Sequence, residues 1–140
     1  MDDRPLTGQP RLVELSPYEC WHLLDHQFRI ARVVWTVDGA AAIVPVNYTV
    51  ADGALWFQTT HESRLATECP GRQVLVEVDS VDPAALSGWS VIVTGVAERV
   101  EALDVPDILG SLQVWPRGHR PVFIRVAADQ LTGRKLQTRH

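Results

Sequence analysis

The segment Thr59-Thr60-His61-Glu62-Ser63-Arg64 is the part of this sequence best suited to binding a ligand. It ends a predicted strand and opens a predicted helix, where free backbone N–H groups favour an anion. Ser63 adds a hydroxyl, and Arg64 adds a guanidinium fork that matches a phosphate. The pattern therefore predicts a phosphate site, and the alternative is a hydroxyl-rich helix cap beside a solvated arginine.

A second candidate lies in the preceding strand, where Pro45-Val46-Asn47-Tyr48 interrupts an apolar run. The amide of Asn47 both donates and accepts hydrogen bonds, so it could bind the polar edge of a ring. Pro45 has no N–H, so this strand must lie at a sheet edge or carry a bulge there.

Other kinds of site are poorly supported. The sequence has no GxSxG motif for a hydrolase and no HExxH motif for a zinc enzyme. His22 and His26 have the spacing of two ligands on one helix face, but no third ligand is evident, so no metal site is predicted. Cys20 and Cys69 are interpreted as two buried thiols.

The elements that must position these residues are mostly strands. Ser16-Pro17-Tyr18-Glu19 is a capping box that opens a helix over 17–26. Short helices are also predicted at 61–68 and 104–110, with a loop at 112–120. Asp38-Gly39 and Asp52-Gly53 are typical of hairpin turns. Strands are predicted at 29–37, 41–50, 54–60, 72–80, 89–100 and 121–127, and residues 131–136 could continue the last of them. This order predicts a mainly β protein with a few short helices, an antiparallel six-stranded split β-barrel.

The length of 140 residues predicts a single domain over 1–140, with an extended arm at 1–14 and a loose tail at 137–140. A net charge of −4 argues against nucleic acid as a partner. The sequence has neither an apolar run long enough to span a membrane nor the pattern of a secretory signal, so a cytoplasmic protein is predicted.

In the order and wording of its motifs, the chain resembles the pyridoxamine 5′-phosphate oxidase-like family, whose members are flavin-binding split β-barrels. The resemblance covers roughly residues 12–136. Its motifs are Leu15-Ser16-Pro17-Tyr18-Glu19-Cys20, Val44-Pro45-Val46-Asn47-Tyr48, Phe57-Gln58-Thr59, Ser63-Arg64-Leu65, Gly88-Trp89-Ser90-Val91, Val122-Phe123-Ile124-Arg125 and Leu131-Thr132-Gly133-Arg134.

The resemblance implies a homodimer with two flavin sites at the subunit interface. It also implies FMN as the cofactor, held by Pro45, Val46, Asn47, Thr59, Thr60, Ser63, Arg64, Trp89 and Ser90. Trp89 or Trp115 would form a wall of the pocket, and Trp89 and Ser90 often come from the other subunit. Gln58 stands where many relatives have arginine, so one phosphate-binding charge is expected to be missing.

The function implied is an FMN-dependent oxidoreductase that transfers a hydride or electrons to a small-molecule substrate. No protein side chain need act as a nucleophile or base, so no catalytic residue is predicted. Two alternatives stay open. One is a deazaflavin-dependent reductase that uses coenzyme F-420. The other is a non-catalytic protein that binds flavin or haem, in which His61 or His119 could serve the haem.

Overall fold

The computed structural model describes residues 10–25, 30–101 and 121–138, which form eight strands and two short helices. The strands are β1 (Pro10–Glu14), β2 (Ile30–Val37), β3 (Ala40–Ala51), β4 (Ala54–Thr60), β5 (Gln73–Asp82), β6 (Ser87–Glu101), β7 (Pro121–Ala127) and β8 (Gln130–Thr138). The helices are α1 (Pro17–Leu24) and α2 (Arg64–Glu68). The helix predicted at 104–110 and the loop at 112–120 lie outside the described residues.

Six strands pair into a ring. The antiparallel neighbours run β2, β3, β4, β7, β6, β5 and back to β2. These are the six strands that the sequence predicts, so the six-stranded barrel is confirmed.

Two further strands extend the sheet beyond the ring. β8 pairs with the first half of β6, and β1 pairs with β8. The sequence predicts an arm at 1–14 and a tail from 137, whereas Pro10–Glu14 form β1 and β8 runs to Thr138. Residues 131–136 lie in β8, which runs on from β7 in the same direction along the same edge of β6 after a short break at Ala128 and Asp129, as the sequence allows. The described sheet therefore has eight strands rather than six.

β6 can join the ring to the extension because it changes partner at Gly95. Its residues from Gly88 to Thr94 pair with β8, and those from Ala97 to Glu101 pair with β7. A side-chain Cβ at Gly95 would collide with the carbonyl oxygen of Ala127. Glycine is therefore required where the end of β7 approaches β6 closely, just before β8 takes over the pairing.

Local chemistry explains the turns and the first helix. Asp38-Gly39 and Asp52-Gly53 have positive φ angles, which the twist of a two-residue hairpin demands. The Ser16 hydroxyl accepts the Glu19 N–H at 3.2 Å, and the Glu19 carboxylate accepts the Ser16 N–H at 3.2 Å. These bonds hold the pKa of Glu19 below its usual value. The helix ends at Leu24, two residues before the predicted end.

The core fills the ring with inward-facing side chains such as Val33, Phe57 and Val93. Both cysteines are buried and free, as predicted, and burial raises the pKa of the Cys69 thiol to about 11. α1 closes on the core through Cys20, whose sulfur would lie 2.7 Å from a Cβ at Gly133. Among the described helices, none is long and apolar enough to cross a membrane.

Candidate functional site

The ring is split between β3 and β4. These strands pair from Ala51–Ala54 as far as Tyr48–Phe57, and there the pairing ends. Beyond that point, within residues 10–25, 30–101 and 121–138, β3 pairs only with β2, and β4 pairs only with β7. Each strand therefore turns an edge without a ladder partner toward the opening, where backbone groups can meet a ligand.

Seven of the nine sequence-predicted cofactor residues lie on the two sides of this split. The β3 side of the opening is formed by Pro45, Val46 and Asn47, which precede the last paired residue, Tyr48. Pro45 and Asn47 are exposed. Thr59 and Thr60 end β4 on the other side, and Ser63 and Arg64 come directly after them. The structure thus brings together the two segments that the sequence singles out.

The hydroxyl groups of this site bond one another. Thr59 Oγ1 donates to Ser63 Oγ at 2.7 Å, and Ser63 Oγ accepts the N–H of Ala66 at 3.1 Å. Ser63 is therefore the N-cap of α2, which begins at Arg64 rather than at the predicted His61. Part of the hydrogen-bonding capacity expected for a ligand is used by the protein itself.

Arg64 is also engaged. Its Nε donates to Glu68 Oε2 at 2.7 Å and its Nη2 to Glu68 Oε1 at 3.1 Å, one helical turn away. Trp35 Nε1 donates to the same carboxylate at 3.0 Å, and the guanidinium lies over the Trp35 ring. The bonds from Arg64 and Trp35 lower the pKa of Glu68, and the Glu68 carboxylate raises the pKa of Arg64. Nε and Nη2 of Arg64 are therefore used by Glu68, which competes with a phosphate for this guanidinium.

A second polar cluster lies at the same end of the ring. Arg99 on β6 contacts His61 Nδ1, and His61 Nε2 lies 3.8 Å from Glu101 Oε2. Glu101 also pairs with Arg99 Nε at 3.4 Å. The side chain of His61 is thus already engaged, and His119, the other haem candidate, lies outside the described residues.

Gln58 carries a buried acceptor without a donor. It is the first β4 residue beyond the end of the β3–β4 ladder, as Asn47 is on β3. Its Oε1 atom has no hydrogen-bond partner in the described part of the chain. Leaving a buried acceptor unpaired costs about 1–3 kcal/mol. A ligand N–H at the split would remove this cost, so the residues present fit a polar heteroaromatic ligand.

Trp89 and Ser90 do not join the split within one protomer. They lie on β6, separated from β3 by β2 and β5. At about 4.8 Å per strand, this is about 14 Å from Asn47. Both residues line a cavity of about 470 Å³ on the outside of the ring, together with Asp79, Arg134 and others. Trp115, the other predicted pocket wall, lies outside the described residues.

The outer face of the sheet is unusually apolar. Among the described residues, the strand registers place eight of the ten exposed large apolar side chains on the outer face of β3, β2, β5, β6, β8 and β1. They are Leu12, Ile30, Ile43, Leu75, Val81, Ile92, Val96 and Leu136. A face of this kind is typical of a protein–protein contact.

An ionic cluster lies at the centre of this outer face. Arg32 Nη1 donates to Glu77 Oε1 at 3.1 Å and to Asp79 Oδ2 at 3.0 Å. Burial raises the pKa of Glu77, the Asp79 carboxylate raises it further, and Arg32 opposes both effects. Two carboxylates therefore share one guanidinium, and the cluster has a net negative charge when both carboxylates are ionised.

Sequence reasoning missed Glu68, Glu77 and Asp79, and it named Arg134 only as part of a family motif. The i, i+4 spacing of Arg64 and Glu68 is a signal that could have identified their ion pair. No local signal marks Glu77 and Asp79, because their contacts depend on the register between strands. The described residues hold no cluster of three or more His, Cys, Asp or Glu side chains able to bind a metal, and His26 lies outside them.

A split β-barrel with polar groups on both edges of its opening defines the class of protein, and comparison defines the family. The profile of the pyridoxamine 5′-phosphate oxidase family matches residues 16–135. The chain belongs to the pyridoxamine 5′-phosphate oxidase-like family.

Three known proteins illustrate the similarity. The uncharacterized protein Rv0080 of Mycobacterium tuberculosis is 37% identical over 134 residues, covering 89% of this chain and 86% of Rv0080. The FAD binding protein from Mycobacterium smegmatis is 32% identical, with a TM-score of 0.70 over 91% of this chain and 100% of that one. An FAD-binding protein from Mesorhizobium loti has the same fold at 23% identity, with a TM-score of 0.72 over 91% of this chain and 98% of that one.

Proposed function

We propose that this protein is a homodimeric flavin-binding oxidoreductase that holds FMN at the split between β3 and β4. The observation that carries the proposal is the split itself. Two segments on the consecutive strands β3 and β4, Pro45–Asn47 and Thr59–Arg64, flank one opening with polar groups and strand edges on both sides. The name of the Mycobacterium smegmatis relative supports a flavin in general.

Each group has a role that its chemistry suits. Asn47 and the unpaired Gln58 acceptor would bind the polar edge of the flavin ring. Thr59, Thr60 and Ser63 would bind the phosphate by their hydroxyls, and Arg64 would join them after leaving Glu68. A bound flavin supplies hydride or electron transfer, so this site needs only to bind and orient it and to exclude water.

The dimer is proposed from the outer face. Its eight exposed apolar side chains lie together, and burying them against a second copy would be favourable. Ser90, about 14 Å from the split of its own protomer, would then lie in the interface with the second copy, whereas Trp89 packs against the core.

A deazaflavin is the alternative cofactor, because coenzyme F-420 also presents a polar ring and a phosphate. A haem protein is a weaker alternative, because Arg99 and Glu101 already engage His61. The proposal includes a small-molecule substrate and an electron donor, and it names no particular compound for either.

The test is a set of binding titrations on the purified protein with riboflavin, FMN, FAD, F-420 and haem, followed by visible absorbance and flavin fluorescence. We expect FMN to bind more tightly than riboflavin, because only FMN carries the phosphate. Arg64→Ala should weaken FMN at least tenfold and leave riboflavin unchanged. Arg11→Ala, an exposed arginine on β1, is the matched control and should change neither affinity.

If F-420 binds more tightly than FMN, the proposed cofactor is wrong and the proposed binding site stands. A protein that binds none of the flavins, or that binds only haem, would contradict the proposed function.

A further inference from the structure

The carboxylate of Glu68 is fixed to the ring at the end of α2. Its Oε1 accepts the indole N–H of Trp35 at 3.0 Å, and Trp35 is only 2% exposed. Arg72 joins the backbone to β2 as well, because its Nε donates to the Glu68 carbonyl oxygen at 3.0 Å and its Nη1 donates to the Thr36 carbonyl oxygen at 3.1 Å. Moving the carboxylate away would leave a buried indole N–H without its acceptor, which is costly. Glu68 is therefore held in place.

Arg64 is the less restrained partner of the ion pair with Glu68. Its side chain is 62% exposed, whereas the side chain of Glu68 is 25% exposed. Its guanidinium binds the carboxylate at 2.7 and 3.1 Å and lies 5.7 Å from the centroid of the Trp35 ring. Water screens an exposed ion pair, so its two groups separate at little cost. When they separate, Arg64 moves and Glu68 stays.

The hydroxyl groups of the proposed phosphate site lie next to Arg64 in the chain. Thr59 Oγ1 donates to Ser63 Oγ at 2.7 Å, and Ser63 immediately precedes Arg64. Glu68 lies one helical turn further on, about 5.4 Å along the axis of α2. The guanidinium therefore has two anionic partners to choose from, the carboxylate of the protein itself and a phosphate placed at the hydroxyl groups.

The carboxylate is a good substitute for that phosphate. Hydrogen bonds from Arg64 and from Trp35 hold the pKa of Glu68 below its usual value, so it is ionised at neutral pH. Carboxylate and phosphate both bind the guanidinium fork through two parallel N–H···O bonds. In the protein without a ligand, Glu68 thus occupies the edge of Arg64 that a phosphate would use.

We propose that Glu68 is an internal competitor that makes the site selective for a phosphate carried by a flavin ring. A free phosphate has only its oxygens to offer, and it must take Arg64 from a carboxylate that offers the same. The phosphate of a flavin is kept beside Arg64 by the contacts of the ring at the split, which raise its effective concentration. The inference rests on the proposed flavin site and deepens it, because it names the residue that excludes inorganic phosphate.

The first test compares Glu68→Gln with Glu62→Gln. The glutamine amide keeps an oxygen for the Trp35 N–H and removes the charge that holds Arg64. We expect Glu68→Gln to bind FMN about threefold to fivefold more tightly, the upper range for an exposed ion pair, with riboflavin affinity unchanged. Glu62 is exposed, lies two residues from Arg64 and makes no hydrogen bond or ion pair with a described residue. Glu62→Gln removes the same charge without releasing Arg64, so it should change the FMN affinity less.

The second test uses inorganic phosphate as the competitor. FMN is titrated in millimolar sodium phosphate and in sodium chloride of the same ionic strength. We expect phosphate to affect FMN binding by the wild type no more than chloride does. For Glu68→Gln it should weaken FMN binding by about twofold when its concentration reaches its own dissociation constant. The wild-type half of this test needs no variant to fold.

The third test asks whether Glu68 acts through Arg64. Arg64→Ala removes the guanidinium for which the two anions compete. Adding Glu68→Gln to Arg64→Ala should therefore leave the FMN affinity of Arg64→Ala unchanged, as expected for two residues that act through one contact. Circular dichroism and the urea midpoint establish that each variant is folded.

Four results would overturn this assignment in a wild type that binds FMN. A Glu68→Gln variant with unchanged FMN affinity is one, and a variant with weaker FMN affinity would instead make Glu68 a residue that positions Arg64. A gain that Glu62→Gln matches, or that persists without Arg64, would be a general effect of charge. Wild-type FMN binding that phosphate weakens more than chloride does would also contradict it. A wild type that binds no flavin contradicts the proposed function instead.

Discussion

At the scale of single residues, the partners of a charged group determine what it is free to do. Arg64 has the residue type and position of a phosphate ligand, yet Glu68 holds it one turn along α2. Arg134 lies in the Leu131–Arg134 motif and makes no hydrogen bond or ion pair with a described residue, although Glu14 is its partner in the β1–β8 register. Residue type alone does not separate two arginines with such different surroundings.

Glu77 gives a prediction for the pH dependence of stability. Burial and the neighbouring Asp79 raise its pKa above the 4.5 of an ordinary glutamate. A folded-state pKa above the unfolded one means that the native protein holds the proton more tightly. This contribution to stability is complete below pH 4.5 and is lost as the pH rises through the folded-state pKa.

Glu77→Gln removes this titration. We expect the urea midpoint of the wild type, relative to that of Glu77→Gln, to fall as the pH is raised from 4.5 toward neutrality. The comparison requires dilute protein, so that association does not contribute. A wild type that gains stability relative to the variant over this interval would contradict the assignment.

At the scale of elements, Gly95 allows β6 to pair with β8 along its first half and with β7 along its second. Gly95→Ala would drive a methyl group into the carbonyl oxygen of Ala127, with Val126 also 3.1 Å away. We expect a loss of about 2–3 kcal/mol in the free energy of unfolding, the range of an overpacked core. Urea denaturation measures it.

Val96→Ala is the control for this substitution. Val96 is the next residue, points outward and is 50% exposed, so its truncation should cost well under the loss at Gly95. Equal losses of stability for the two variants would show that the close contact between Gly95 and Ala127 is not the cause of the loss at Gly95.

Most of the elements could be predicted from the sequence because their signals are local. The capping box at Ser16 and Glu19 and the turns at Asp38-Gly39 and Asp52-Gly53 each specify geometry within four residues. The six ring strands follow from the β-branched and aromatic runs between such signals. The helix at α2 was predicted too long, because the Ser63 cap lies three residues inside the hydroxyl-rich segment.

The pairing of distant strands could not be predicted in the same way. Pro10–Glu14 has little alternation, and it becomes a strand only because β8 offers it an edge. The separation of Ser90 from Asn47 within one protomer likewise follows from the strand order, which no local pattern encodes. The two segments that flank the split could therefore be named from the sequence, whereas the distance of Trp89 and Ser90 from them within one protomer could not.

At the scale of the whole molecule, the proposed dimer links folding to association. If the outer face is buried only in the dimer, the unfolding temperature must depend on protein concentration. We expect a hundredfold dilution to lower the midpoint by about 5 °C. Differential scanning fluorimetry at several concentrations tests this, and an unchanged midpoint would argue against a dimer held by this face.

The long strand β6 has the most pairing partners, and this predicts the order in which backbone amides exchange with deuterium. It pairs with β5 along one edge, and with β8 and then β7 along the other, whereas β1 is attached through β8 alone. Amide protons of β6 should therefore exchange with deuterium last and those of β1 first. We therefore expect local unfolding to begin at β1, to reach β8 next, and to leave the six strands of the ring paired.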